Sequence, residues 1–544
     1  MQARTSETAG ARSGDPASNI AQPSVTRTTP PLWFRLAFPS VTDLVFVALL
    51  LSFTFGPLSQ RLLGDADVGW HIRTGQQILS THTLLRTDPF SSTMNGKAWF
   101  AWEWLYDLGL GIIYQGAGLN GVVLLTALWI AVTFTAAFRW MLAEGVSVLL
   151  AVLLVLLAIS ASSIHFLARP HVITWLFALL WFWILDRYEA GIAKAQSLYL
   201  LPVLMILWVN LHGGFILAFL LSGIYVLASV LQVYAGDAAA RIDARARLKP
   251  LCLSTLLSVI ASFFNPYGYH LHAHVYSYLT NGFLMSRIDE FQSPNFHGAA
   301  QRCFAALLLI TVFAVAVRRR KLRISHLLLI AFATDSGLYA ARNIPLASIF
   351  LIIVVAPLLT SWIVGCSQGI GVSESAQRVC LRMHTFADRV TTMENALRGH
   401  LWPIMAIALS ISVCLNGGRL GWRTAMNAHF NAKRFPVEAV DLLAHDSLHD
   451  PVFSVDSWGG YLIYRLYPQT RVVVDDRHDL YGEGFLKEYL KSIHAEPGWD
   501  APLDRWDVKV ILLPVKSPLA SVLREDARWR IVHDDGVSIV FRRQ

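Results

Sequence analysis

The sequence predicts a polytopic α-helical membrane protein of about 11 spans followed by a C-terminal extracytoplasmic α/β domain. Three observations carry that prediction. Only 15% of the 544 residues are charged, where a soluble chain would carry about 25%; 54% are hydrophobic, with a mean hydropathy of +0.47. Apolar runs recur that approach the roughly 20 residues a bilayer core requires. Beyond residue 417 this character ends, and charged sequence with strand and helix patterns begins. In such a chain the net charge of +8 is loop charge that sets orientation. It is not read as a nucleic-acid footprint, and no nucleic-acid partner is expected.

The arm 1–38 is rich in Ser, Thr, Pro, Ala and Arg without an apolar face, so it is expected to be disordered and cytoplasmic. It is too long for the n-region of a signal peptide, and no small-residue cleavage site follows Leu58, so 41–58 reads as an uncleaved first span. Basic clusters at Arg187–Lys194, Arg241–Lys249, Arg318–Arg323 and Arg378–Arg398 mark cytoplasmic loops. Hydrophobic pairs lie between them: 199–209 with 215–233, 251–264 with 304–317, and 324–338 with 344–364. Their far-side turns, 210–213, 265–298 and 339–343, then face outward, as does 163–171. Parity allows one span between Asp65 and the cytoplasmic Arg139. The segment 104–115 is short and contains Asp107 and several glycines, so it is assigned to a helix on the outer surface within a first outer loop, 59–118, and 122–138 crosses instead.

After a last span at 401–413, the membrane domain 39–417 gives way to an outer domain, 418–544. Strands are expected at 452–455, 471–475, 508–513 and 537–541, and helices at 460–466, 482–493 and 519–524. The five cysteines all fall in spans or the cytoplasmic loop, so no outer disulfide is expected.

The outer face collects ionisable and polar groups from distant parts of the chain: Asp65, Asp67, His71, Glu103, Arg169, His171, His212, Asn265, His270, His272, His274, Asp289, Glu290 and Arg342. Such groups at membrane borders are costly unless paired or functional. Single Arg, His and Trp residues serve as interfacial anchors, but this number at span ends exceeds what anchoring needs. Within the set, Asp65-Ala-Asp67, directly after the first span and followed by Trp70-His71, stands out. Carboxylates and histidine are the side chains that move protons and hold divalent metals.

With the motifs Asp88-Pro-Phe-Ser91, Trp99-Phe-Ala-Trp-Glu-Trp104, Arg169-Pro-His171, Asn210-Leu-His-Gly213, Asn265-Pro-Tyr-Gly268, Arg342-Asn-Ile-Pro345 and Trp458-Gly-Gly-Tyr461, this layout resembles the GT-C superfamily of integral membrane glycosyltransferases. Within it, the chain is similar to uncharacterised bacterial members related to protein mannosyltransferases and lipopolysaccharide-core transferases. The resemblance covers roughly 41–343 in architecture. It implies an inner (plasma) membrane enzyme of the cell envelope, cytoplasmic at its N-terminus. It also implies transfer of a hexose or pentose from a polyprenyl-phosphate-linked donor to a glycan, lipid or protein acceptor. Arg169 and Arg342 would neutralise the donor phosphate through bidentate guanidinium contacts, with His171 and His212 as added donors. Asp65 or Asp67 would take the acceptor proton, or both would share a divalent metal such as Mg or Mn; the residues leave that choice open. His71 belongs to the same catalytic group, and Glu103 would orient the acceptor or join the metal.

Other signals are weaker. His270, His272 and His274 alternate, a spacing that shares one face only in a strand, and are expected in a membrane-border loop or re-entrant helix. Trp458-Gly-Gly-Tyr461 reads as a tight-packing turn opening a helix. Asp475-Asp-Arg-His-Asp479 ends a strand, where ligands often bind, or is a solvated salt-bridged loop. The absence of a P-loop and of G-x-G-x-x-G removes support for ATP-driven and dinucleotide chemistry. Two competitors remain. A transporter or flippase of lipid-linked sugars would show internal repeats and mid-span charges, of which only Asp335 is an example. A non-catalytic scaffold would not need the outer polar set.

Overall fold

The computed structural model describes residues 31–397, 400–446 and 449–544. The expectation for the arm lies, up to residue 30, outside the described residues; its last part departs from disorder, because Leu32–Ala37 (α1) is helical. The bundle continues through α2 (Val41–Thr54), α3 (Ser59–Leu62), α4 (Asp67–Thr81), α5 (Trp104–Ala143), α6 (Val148–Ser162), α7 (His171–Glu189), α8 (Leu200–Leu211), α9 (Ile216–Ala235) and α10 (Ala238–Ala261). It is completed by α11 (Tyr269–Thr280), α12 (Gly282–Met285), α13 (Ala299–Val317), α14 (Ile324–Tyr339), α15 (Ile344–Ser367), α16 (Glu374–Ala396) and α17 (Leu401–Leu415). By length and composition six helices among the described residues can cross a membrane, or seven if the pair α16 and α17, bent by 64°, is one span. The rest of the roughly 11 expected spans would have to be shorter or charge-bearing helices.

Local chemistry explains the helix ends. Ser40 caps α2: its hydroxyl accepts from the Asp43 N–H while the Asp43 carboxylate accepts from the Ser40 N–H. The buried Glu394 of α16 then accepts from Val41 N at 2.6 Å, Thr42 N at 3.1 Å and the Thr42 hydroxyl at 2.5 Å. These bonds satisfy first-turn donors that a helix cannot satisfy itself. The basic stretch read as a cytoplasmic loop is therefore a helix that holds the N-terminal end of α2. Gly118, at φ 58°, breaks α5. An L side chain resists that conformation, so the chain turns there between the expected surface helix and the span.

The C-terminal domain contains α18 (Val437–His445), α19 (Asp456–Leu466), α20 (His478–Ile493), α21 (Asp500–Arg505) and α22 (Pro518–Glu525). Its strands are β1 (Arg419–Leu420), β2 (Arg423–Thr424), β3 (Val452–Ser454), β4 (Val510–Pro514), β5 (Trp529–Asp534) and β6 (Ser538–Arg543). The main sheet has the order β3-β4-β6-β5, with β3 parallel to β4 and the other pairs antiparallel. Strands β1, β2 and β5 and helices α18 and α21 were not foreseen. The strand expected at 471–475 is a bridging segment: Val472 pairs in parallel with both Val452 and Ser91. The first outer loop is thereby stitched onto the edge of the sheet, with Ser92 N donating to Val472 O at 2.8 Å.

Candidate active site

The site forms where the loop after the first span meets the C-terminal domain. Helices α4 and α19 cross through glycine: a Cβ on Gly69 would lie 2.2 Å from the Gly460 carbonyl oxygen, and one on Gly460 2.4 Å from that of Ala66. A Cβ on Gly459 would meet Asp475. The Trp458-Gly-Gly-Tyr461 segment is thus the inside of a helix rather than a turn, and its glycines do serve close packing. Beyond this contact, Arg477 is buried and grips Asp475 through two guanidinium bonds of 2.8 and 2.7 Å. It also reaches Asp88 of the first loop at 2.8 Å and lies over the Trp99 ring. The Asp475–Asp479 run is therefore a clamp between domain and loop, with Asp475 and Arg477 buried and Asp476, His478 and Asp479 half-buried.

The clamp delivers Asp476. Single carboxylate oxygens of Asp65, Asp67 and Asp476 all lie within 4.8 Å of one another. Asp67 Oδ1 and Asp476 Oδ1 are buried and have no hydrogen-bond partner. Burial and the neighbouring Asp67 push the Asp476 carboxyl well above the usual range, so this cluster favours a proton or a cation. The residues fit a hard divalent cation, which takes oxygen ligands of this kind.

Arg169 faces the cluster, 3.1 Å from Asp65, 2.6 Å from Asp67 and 3.7 Å from Glu290. Arg342 is 3.2 Å from Glu290 and lies over the Phe291 ring. Neither arginine had a carboxylate near it in sequence, yet both are paired in space. Glu290, held down to about 2 by these guanidiniums against the effect of burial, links them.

Glu103 occupies the other side of the cavity, 3.9 Å from His71 Nε2 and 3.6 Å from His212 Nε2. Burial raises Glu103 to about 7 and lowers both imidazoles, His212 to about 3. His212 Nδ1 accepts from Gly214 N at 3.1 Å, so its proton sits on Nε2, toward Glu103. His71 Nδ1 is 2.5 Å from Asp107, which as a neutral imidazole donating there leaves Nε2 bare. His171 turns to the carbonyl of His165 at 2.9 Å while still lining the cavity. The alternating histidines do not converge: on α11, His272 contacts Ser262 at 2.8 Å and His274 stacks on Trp102. Two further motifs brace the first loop. Asn210 accepts from the Trp104 indole at 2.8 Å, and the Tyr267 hydroxyl donates to the Ala101 carbonyl at 3.1 Å.

All of Asp67, His71, Glu103, Arg169, His171, His212 and Arg342 border one cavity of about 530 Å³. Glu290, a member of the outer polar set that was given no role, and Asp476, which lay outside that set, border it too. The cavity runs on between apolar side chains of α9, α11, α14 and α15, including Leu220, Leu279, Phe332 and Phe350.

No family model matches the sequence, and no curated protein matches it. Solved structures do. The oligosaccharyltransferase of Archaeoglobus fulgidus in its apo form aligns with a TM-score of 0.54 at 10% identity, over 89% of this chain and 70% of that one. The same enzyme tethered to an acceptor peptide containing an NVT sequon gives 0.52 at 12% identity, over 89% and 69%. In complex with an inhibitory peptide and a dolichol-phosphate it gives 0.52 at 11% identity, over 89% and 70%. The chain shares its fold with this archaeal oligosaccharyltransferase. The mostly helical fold with a small C-terminal sheet domain is as expected, while six or seven helices among the described residues, not about 11, pass as spans by length and composition.

Proposed function

We propose that this protein transfers a sugar from a polyprenyl-phosphate-linked donor to a glycan, lipid or protein acceptor on the outer face of the membrane, with its N-terminus cytoplasmic and its C-terminal domain outside. One observation carries the reading: a single cavity joins a charged end, built by the first loop and the outer domain, to an apolar channel among membrane helices. A donor with a hydrocarbon tail and an anionic head has that same polarity. The archaeal enzyme that shares the fold is described with an acceptor peptide and with a dolichol-phosphate.

The acceptor oxygen bonds to the anomeric carbon as the bond from that carbon to the phosphate oxygen breaks, and the polyprenyl phosphate leaves with the electron pair. Arg342, paired to one carboxylate only, grips the phosphate with the His212 Nε2–H beside it. Arg169 is committed to Asp65 and Asp67, so its role is to hold the carboxylates in place. Glu103 takes the acceptor proton: a carboxylate near 7 between an N–H and an imidazole lone pair is poised to accept one. Asp65, Asp67 and Asp476 would hold a divalent cation such as Mg or Mn, which supplies positive charge for the leaving phosphate.

The test is transfer from a labelled polyprenyl-phosphate sugar by Asp67→Asn and Asp476→Asn, with Mn²⁺ binding read by paramagnetic resonance. Both variants should keep the melting temperature of the wild type within a few degrees, lose Mn²⁺ binding and lose turnover by about 100-fold or more. Full turnover by both would remove the site.

A further inference from the structure

A second pocket lies behind the carboxylates. It has a volume of about 410 Å³ and is bordered by Gln60, Arg61, Asp65, Leu167, Asn431 and Arg434. The Asp65-Ala-Asp67 segment is the partition: Asp67 borders the large cavity and Asp65 the small one. Within the partition Asp65 is compensated by Arg169 at 3.1 Å. Arg61 and Arg434 are not compensated. Among the described residues neither has a carboxylate within ion-pair distance, whereas Arg169, Arg342 and Arg477 each do. The main chain around Arg434 is pinned, its carbonyl accepting from the Trp458 indole at 3.0 Å and its N–H donating to Asn431 O at 2.9 Å. Its guanidinium lies over Gly64, the residue before Asp65, with Nη1 3.4 Å from where a Cβ would stand. Two guanidiniums bordering one pocket repel each other until an anion enters between them.

In a displacement at an anomeric carbon the acceptor arrives on the face opposite the leaving group. The large cavity has the polarity of the donor and borders Asp67, and the small pocket borders Asp65 on the other side of the same segment. We propose that this pocket holds the acceptor through a phosphate or carboxylate group that the acceptor carries away from its reactive hydroxyl, with Arg61 and Arg434 as the recognising cations. The assignment to an acceptor rests on the transfer reading above.

The experiment uses the full chain in phosphatidylcholine nanodiscs. Binding of glycerol 3-phosphate, glycerate and neutral glycerol is measured by calorimetry for the wild type and for Arg61→Gln/Arg434→Gln. The wild type should bind one or both anions and not glycerol. The double variant should bind that anion about tenfold to a hundredfold more weakly. Both arginines are exposed, so the melting temperature should be unchanged. Polyprenyl-phosphate affinity, read in parallel, should also be unchanged, so a failed anion pocket and a failed donor site give different results. A second arm adds phosphatidylglycerol to the nanodiscs and should leave anion binding intact. Equal anion binding by wild type and double variant, or no anion binding by the wild type, overturns the proposal. Loss of anion binding on adding phosphatidylglycerol would assign the arginines to lipid headgroups and overturn it as well.

Discussion

Glu103 carries the clearest pH signature of any single residue. In an unfolded chain it would ionise near 4.5, and burial raises it to about 7. Between those values the folded state holds a proton that the unfolded state lacks, so its contribution to stability is full at low pH and is lost as pH rises through about 7. Glu103→Gln cannot ionise, and its melting temperature relative to wild type should climb between about pH 5 and about pH 8. A constant difference would mean that Glu103 is not buried as a neutral acid. For transfer the ionised form is the useful one, so kcat/KM of the wild type should rise to a plateau above about pH 7. Arg342 gives a second residue-level prediction. Arg342→Lys keeps the charge but loses the bidentate grip, and donor affinity should fall about tenfold. Unchanged binding of a polyprenyl-phosphate analogue would make the arginine a lipid anchor. Asp65, Asp67, Glu103 and both arginines were legible in the sequence as polar groups at span ends. Which groups pair with which was not. Glu290 is 121 positions from Arg169, and no spacing rule joins them.

At the scale of elements, the site depends on how closely two helices approach. A Cβ at position 69 would stand 2.2 Å from the Gly460 carbonyl oxygen, so Gly69→Ala must push α4 off α19. Overpacking of this kind costs about 1–3 kcal/mol, and the displaced α4 begins at Asp67. Activity and Mn²⁺ affinity should therefore fall further than the melting temperature alone would suggest. A variant that melts lower yet turns over normally would separate the packing from the site. The Gly-Gly pair was visible in the sequence, and its packing role was the right reading, but not its place. A helix interior disfavours glycine by roughly 1 kcal/mol, and the close approach of α4 supplies the reason for the pair.

For the whole molecule, the first loop and outer domain lie at one end of the bundle, and α16, against the start of α2, lies at the other. A cysteine placed at Ser521, in a background without the native cysteines, should react with an impermeant thiol reagent in spheroplasts, and one at Ser375 should not. The reverse pattern would invert the orientation and with it the face on which transfer occurs. The outer domain is also no appendage. It contributes Asp476, and Arg477 fixes it to Asp88. Arg477→Ala leaves Asp475 and Asp88 buried without their counter-ion, a change that typically costs about 3–5 kcal/mol.

Composition and hydropathy determined that the chain lives in a membrane, because a lipid core demands long apolar helices whatever their packing. Charge distribution determined which loops share a face, and the density of ionisable groups there determined where to look for chemistry. Those properties are local or additive, and a sequence states them directly. Only the tertiary structure decided that Asp476 completes the carboxylate cluster, that Arg169 is spent on holding it, and that Glu103 sits between two neutral imidazoles. These depend on a sheet edge capturing the first loop at Val472 and on two glycines letting helices touch. Contacts between segments some 400 residues apart are fixed by packing and leave no periodicity in the chain.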